Sequence, residues 1–394
     1  MDNYKTPLTI YMDLSKAFDT INHSILLKKL NYYGIRNSSL SLFNSYLSDR
    51  KQYVEIESTR SSHLAVETGV PQGSILGPLL FIIYINDIPL ASNIFRTISY
   101  ADDTTLFVSL SFSDNDTKPS TTLLNQELNK IHTWLLLNKL SLNIDKTKCM
   151  IFSTPNKVIK QPALVIDNTP LHYVDTFDFL GITIDKRLTW KHHIEKIASK
   201  ISKTIGVLGK LKLMVPQNIL LTIYNSLINS HLNYGLLCWG YQMKRLVELQ
   251  KKAVRIISNS KYNAHTQPIF KKLKLLTIVD MYDVKLLKFY FRLANKRLPD
   301  YFKNTITIVK QCETHSINTR IDKYVTHRVR HSFAENCIRY HLARLLNKTE
   351  ENVLDKTTTH SEIGFKLYIK TLMLKKYKEQ CDIDHCPNPN CKSS

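Results

Sequence analysis

Apolar positions change period several times through the first half of the chain, then keep a helical period beyond about residue 190. Residues 8–14 (LTIYMDL) are a short apolar and β-branched run, which predicts a strand ending on Asp13. Ile25, Leu26 and Leu30 share a face opposite Lys28 and Lys29, which predicts a helix that Gly34 stops. A helix is predicted over 40–47 and an alternating strand over 51–57 (KQYVEIE). Gly69, Pro71 and Gly73 punctuate a loop before the apolar segment 75–85, predicted as a buried helix. Residues 96–100 (RTISY) and 104–109 (TTLFVS) read as two strands joined at Ala101-Asp102-Asp103. The polar loop 111–121 leads to a helix with Leu124, Leu128, Ile131 and Leu135 on one face. Two further strands are predicted over 147–153 and 177–184.

From there Ile194, Ile197, Ile201, Ile205 and Leu208 recur at helical spacing. Pro216 suits the first turn of a following helix. Residues 244–258 are amphipathic with five basic residues, and 278–296 form another basic helix. The pattern contains no internal repeat. The expected fold class is α+β in the first half, followed by a mostly α-helical region.

A length of 394 residues suits two or three domains. With 43% hydrophobic residues, 15 Phe and 20 Tyr, general disorder is excluded, and only 10 Gly exclude collagen-like and linker-dominated architectures. The charge is unevenly placed: 1–190 is neutral and 191–394 carries the whole net +21. Such an excess suits a polyanion, most simply nucleic acid; the plainer alternative is a solvated Lys-rich helical surface. Seven scattered Cys do not form a disulfide framework, and the start Met1-Asp2-Asn3-Tyr4-Lys5 lacks the pattern of a signal peptide. The longest apolar run, Ile75 to Ile85, is interrupted by Gly77-Pro78 and falls short of the ~20 residues that span a bilayer. The expectation is a soluble, intracellular, reduced protein without membrane contact.

Asp13 closes one predicted strand and Asp102-Asp103 lies in a tight turn between two others. Carboxylates at neighbouring strand ends can converge, and two or three such oxygens suit a hard cation such as Mg²⁺. A pair of such ions activates an attacking hydroxyl and stabilises a leaving oxygen. An Asp-Asp pair in a turn is also ordinary turn chemistry.

Five segments follow in order: DLSKAFDTINHSILLKKL (13–30), GVPQGSILGPLLF (69–81), YADD (100–103), LSLNIDKTK (140–148) and FLGITID (179–185). They resemble motifs A to E of reverse transcriptases, particularly those of LINE-type, non-LTR retrotransposons. YNSLINSHLNYGLLCWG (224–240) and LQKKAVRIIS (249–258) resemble the C-terminal region of the jockey-like branch. The resemblance implies a polymerase palm over 1–190, thumb-like helices over 191–260, a basic helical C-terminal region over 261–380 and a Cys-containing tail over 381–394.

By this resemblance Asp13 and Asp102 bind two Mg²⁺, for which Mn²⁺ substitutes, and Asp103 is the adjacent, less direct aspartate. Asp19 is read as structural. Phe18 corresponds to the ring beneath the incoming sugar that excludes a 2′-hydroxyl; its alternative is core packing. Gln72 and Gly73 correspond to the motif B dipeptide near template and incoming nucleotide, or to a plain turn into a helix. Lys146 is the candidate proton donor to pyrophosphate, with Lys148 its competitor and a solvated face the alternative for both. Phe179, Leu180 and Gly181 correspond to the primer grip, or to a buried strand and turn. Cys381, His385, Cys386 and Cys391 suggest a zinc knuckle, but their spacing fits known ligand patterns poorly. His192-His193 reads as a solvated pair at a helix start.

The implied function is RNA-directed DNA polymerisation, extending a primer 3′-OH with dNTPs on an RNA template. The implied partners are RNA template and DNA primer or target, and the family implies action in the nucleus. Only twelve residues precede Asp13. The basic fingers of such enzymes lie upstream of motif A, so the expectation is an N-terminally truncated element with impaired turnover. A non-catalytic nucleic-acid-binding remnant is the alternative, and an RNA-templated RNA polymerase a third reading against which Phe18 argues.

Overall fold

The computed structural model describes residues 5–111, 121–154, 159–300, 302, 324 and 336–377, so the tail with its zinc reading lies outside the described residues. The chain divides into two compact units, 3–177 and 178–394. No described helix is long and apolar enough to cross a membrane.

The first unit is built on β1 (Lys5–Met12), where strict alternation sends Leu8, Ile10 and Met12 to one face and Thr9 and Tyr11 to the other. It continues through β2 (Leu14–Ser15), α1 (His23–Tyr32), whose start is capped by the Asn22 side chain, and α2 (Asn37–Leu47). The strand expected over 51–57 is instead four two-residue strands, β3 (Lys51–Gln52), β4 (Glu55–Ile56), β5 (Thr59–Arg60) and β6 (Leu64–Ala65). β3 pairs with β6 and β4 with β5, because Glu57 and Ser58 both turn left-handed and fold the chain back. The alternation there belongs to an exposed arm, not to a half-buried strand.

Next come α3 (Leu76–Ile85), β7 (Arg96–Tyr100), β8 (Asp103–Ser111), α4 (Thr121–Leu137), β9 (Ser141–Leu142) and β10 (Lys148–Ile151). The hairpin of β11 (Val165–Ile166) and β12 (Thr169–Pro170) and the short β13 (His172–Tyr173) follow. β13, β10, β1, β8 and β7 form one five-stranded sheet in that order, antiparallel except for the β10–β13 pair. Register sets Leu8 beside Val108 and Ile10 beside Leu106, a continuous apolar face. Leu26 and Leu30 of α1, Leu80, Phe81 and Tyr84 of α3, and Leu124, Leu128, Ile131 and Leu135 of α4 join the same core. Burying an aliphatic side chain of this kind contributes about 1.5–3 kcal/mol. The apolar segment 75–85, predicted as a buried helix, is α3. It buries one face only, and Ile75, Leu79 and Ile82 lie exposed at i, i+4 and i+7 on the other.

A second hairpin follows, β14 (Thr176–Phe179) and β15 (Ile182–Asp185). The single strand expected over 177–184 is thus broken, because Leu180 and Gly181 are both left-handed and reverse the chain.

The second unit is helical, as its period required. Ile194, Ile197, Ile201, Ile205 and Leu208 of α5 (Lys191–Leu211) are all buried. Pro216 precedes α6 (Gln217–Ile223), which runs through a π-turn (Tyr224–Asn229) into α7 (Ser230–Asn233). α8 (Leu236–Trp239), α9 (Lys244–Ile257), α10 (Thr266–Lys272) and α11 (Ile278–Ala294) follow, with helices Ile338–Lys348, Glu351–Thr359 and Glu362–Lys375 beyond them. Gln250 is buried among them and fully used, donating to Tyr224 Oη and Leu276 O and accepting from Ile278 N–H. Its pairing satisfies a polar group that would otherwise be costly in this core.

Candidate active site

Asp13 stands where the chain changes neighbour. β1 runs beside β8 up to the pair Met12–Thr104, and two residues later β2 pairs with β9, Leu14 beside Leu142. The ladder ends at Met12–Thr104, so Asp13 and Asp103 are the next residues along the two strands, and the Asp103 carboxyl senses the Asp13 charge. Asp102 is the residue before Asp103, in the two-residue connection from Tyr100, where Ala101 is left-handed at φ 52°. Burial, then the negative charges of Asp102 and Asp13, hold the Asp103 carboxyl above the usual carboxylate range. Asp103 thus lies within electrostatic reach of both Asp102 and Asp13.

The motif D segment lies against the same point. Asn143 N–H donates to Asp13 O at 2.8 Å, and the Asp13 N–H points at Thr147 Oγ1 at 3.5 Å. Asn143 Oδ1 accepts from Lys146 N–H and Thr147 Oγ1 donates to Asn143 O, closing a tight turn. That turn carries the Lys146 ammonium to 3.9 Å from Asp13 Oδ2. Lys148, its competitor, instead donates back to Asp145 O at 2.5 Å. Asn143 and Thr147 were not singled out from sequence; the signal available was an Asn three residues ahead of a Lys in a short polar break.

Loops from motifs A and B are stitched together. Gly69 N–H donates to Ile21 O at 2.8 Å, Val70 N–H to Phe18 O at 2.9 Å, and Thr68 Oγ1 to Asp19 O at 3.0 Å. His23 Nε2 lies 2.7 Å from Gly69 O. Gln72 Nε2 donates to Asp19 Oδ1 at 2.8 Å, which ties the two loops together. Phe18 is half-buried with its ring 4.7 Å from that of Phe81. A Cβ at Gly73 meets no protein atom within 4 Å, and its φ of +80° is the constraint. Gly69 is the crowded one: a Cβ there lies 2.8 Å from Asp19 Cα and O.

Phe179, Leu180 and Gly181 form the tip of the β14–β15 hairpin. Asp178 pairs with Lys196 at 2.7 Å and accepts from Thr183 Oγ1, while Thr183 N–H donates to His193 Nδ1 at 3.2 Å. His193 is thus buried and engaged, not solvated, and burial pulls its pKa below the ordinary 6.5. In the first unit, Phe177 stacks on Tyr11 with ring centroids 4.0 Å apart.

Residues 2–184 match the family model described as "Reverse transcriptase (RNA-dependent DNA polymerase)", so this part of the chain is a reverse transcriptase domain. The chain as a whole is similar to RNA-directed DNA polymerases of non-LTR retrotransposons. It is 26% identical over 296 residues to the "RNA-directed DNA polymerase from mobile element jockey" of Drosophila melanogaster, covering 71% of this chain and 31% of the relative. It is 25% identical over 309 residues to the "Probable RNA-directed DNA polymerase from transposon X-element" of the same organism, covering 73% and 32%. The chain thus spans about a third of these relatives' length. Among solved structures, telomerase from Candida albicans aligns with 12% identity and a TM-score of 0.33, over 79% of this chain and 50% of that one.

Proposed function

We propose that this chain is the polymerase portion of a non-LTR retrotransposon reverse transcriptase. It extends a primer 3′-OH with dNTPs on an RNA template and releases pyrophosphate. The unit 3–177 serves as the palm, and the helical unit supplies thumb and nucleic-acid-binding surfaces, with most of the exposed basic charge. The observation that carries this reading is the β1–β8 register, which sets Asp13 across from the Asp102-Asp103 turn.

Whether these residues fit divalent cations is answered by the donor set. It is all carboxylate oxygen, and burial, then the charges of Asp102 and Asp13, raises the Asp103 pKa, an effect that a bound cation would offset. Among the described residues no group of three or more His, Cys, Asp or Glu is placed to hold a metal ion by itself. Mg²⁺ takes only one or two protein carboxylates and completes its shell with water and substrate phosphates, so an open set suits it. Asp13 and Asp102 would hold the ions, with Asp103 beside them. Bound there, the ions supply activation of the primer hydroxyl and stabilisation of the leaving oxygen. Lys146 gives a proton to the departing pyrophosphate; its ammonium, 3.9 Å from Asp13, supports this role. The hairpin tip at Phe179-Leu180-Gly181 holds the primer end, Gln72 and Gly73 face the nucleotide, and Phe18 sets sugar choice.

The test is primer extension on an RNA template with saturating dNTPs in Mg²⁺ or Mn²⁺. Templated incorporation, however slow, that disappears in Asp13→Asn and Asp102→Asn is expected. Incorporation no greater than that of the Asp102→Asn variant would overturn the proposal in favour of a binding remnant.

A further inference from the structure

The segment 224–240 resembled the jockey-like branch without an assigned role. In the structure its centre is a rigid support. α7 stops at Asn233, where the last carbonyls of a helix need partners from outside it. Asn233 O accepts from Lys285 Nζ at 2.8 Å, and Tyr234 O accepts from the indole N–H of the fully buried Trp239 at 3.0 Å. Gly235 is left-handed at φ 59°, and a Cβ there would lie 2.4 Å from Ile182 Cδ1, in the first residue of β15. The backbone at 233–235 is therefore pinned on three sides.

From this support the Tyr234 phenol donates to Leu180 O at 2.6 Å. Leu180 is a central residue of the two-residue turn, so its carbonyl takes no part in the β14–β15 ladder. It is also left-handed, a conformation a leucine does not hold by preference. The base of the hairpin is fixed separately, by Lys196 on Asp178 and by His193 on Thr183. The tip has the Tyr234 hydroxyl.

We infer that Tyr234 is a positioning residue: its hydroxyl fixes the Leu180 carbonyl and so holds the Phe179-Leu180-Gly181 tip in the conformation that receives a nucleic-acid 3′ end. This rests on the reading of that hairpin as the primer grip. Tyr234 is 55% exposed, so removing its hydroxyl leaves the core intact.

The experiment compares the 394-residue chain with Tyr234→Phe by two readouts that need no turnover. Amide exchange of peptides spanning 176–185 should quicken in the variant, with peptides of α9 and α11 unchanged. Affinity for an RNA–DNA duplex with a recessed DNA 3′ end, read by fluorescence anisotropy, should fall roughly 3- to 10-fold, the factor one hydrogen bond supplies. Affinity for a blunt duplex should hold. Unchanged exchange at the tip would overturn the clamp. Quickened exchange with unchanged recessed-end affinity would overturn its role in holding nucleic acid. A wild-type chain that does not distinguish recessed from blunt duplex would instead overturn the primer-grip reading itself.

Discussion

Replacing Gly69 with Ala perturbs a point where the motif A and motif B loops touch backbone to backbone. Two costs are separable. The residue has φ +86°, where an L side chain loses about 1–2 kcal/mol. The new Cβ would also sit 2.8 Å from Asp19 Cα and O, backbone atoms that cannot rotate aside. Overpacking of this kind costs about 1–3 kcal/mol. Relief means pulling the loops apart, at the expense of the Gly69–Ile21 and Val70–Phe18 hydrogen bonds, each worth about 0.5–1.5 kcal/mol net. The expected loss is thus about 2–5 kcal/mol. Gly73→Ala is the control: φ is +80° but nothing lies within 4 Å, so only the conformational cost of about 1–2 kcal/mol applies. Urea unfolding of both variants measures the difference, and exchange of the Gly69 and Val70 amides localises it. Phe18 and Gln72 ride on these loops, so the damage should reach the site. Equal destabilisation by the two substitutions would refute the stitched-loop geometry.

Asp283→Asn should stabilise the chain above pH 7 and leave it nearly unchanged at pH 4. Burial, then Asp280, pushes the Asp283 carboxyl up to about 6 against the pull of Lys348 and Lys376. A raised acid favours the folded state only while protonated, so as the pH climbs from 3.8 to about 6 the wild type loses at most about 3 kcal/mol, which thermal unfolding against pH reads. His193 has the opposite sign of dependence: its folded pKa is lowered, so the stability from its neutral ring is full above 6.5 and lost as pH falls below that. The Thr183 amide, which donates to that ring, should lose exchange protection on acidification, and a flat profile would contradict the buried assignment. Phe18→Val should raise ribonucleotide use relative to deoxynucleotide use in primer extension, and an unchanged ratio would return Phe18 to core packing against Phe81.

What sequence made legible was whatever depends on local period. The isoleucine repeat of α5 and the strands flanking Asp102-Asp103 needed only side-chain alternation, and both stand as read. So does the convergence of Asp13 with that turn, because a strand end and a hairpin in one sheet have few ways to meet. The misreadings share a different cause. An all-apolar helix such as α3 has no period to say which face is covered. The breaks at Glu57-Ser58 and Leu180-Gly181 use left-handed residues that, apart from Gly181, carry no turn signature. His193 looked solvated because its partner, Thr183, lies on a strand ten residues earlier. The crowding at Gly69 comes from Asp19, fifty residues upstream, which no local pattern records.

The central proposal is that Asp13 and Asp102, with Asp103 beside them, hold divalent cations at the end of the sheet. It is tested most directly by replacing Mg²⁺ with Fe²⁺ in the presence of ascorbate and peroxide, where radicals cut the backbone beside the bound ion. The account expects cuts confined to residues 11–14, 101–104 and the adjoining 143–147 turn, suppressed by excess Mg²⁺ and lost in Asp102→Asn. Cuts elsewhere, or the same cuts in that variant, would contradict it.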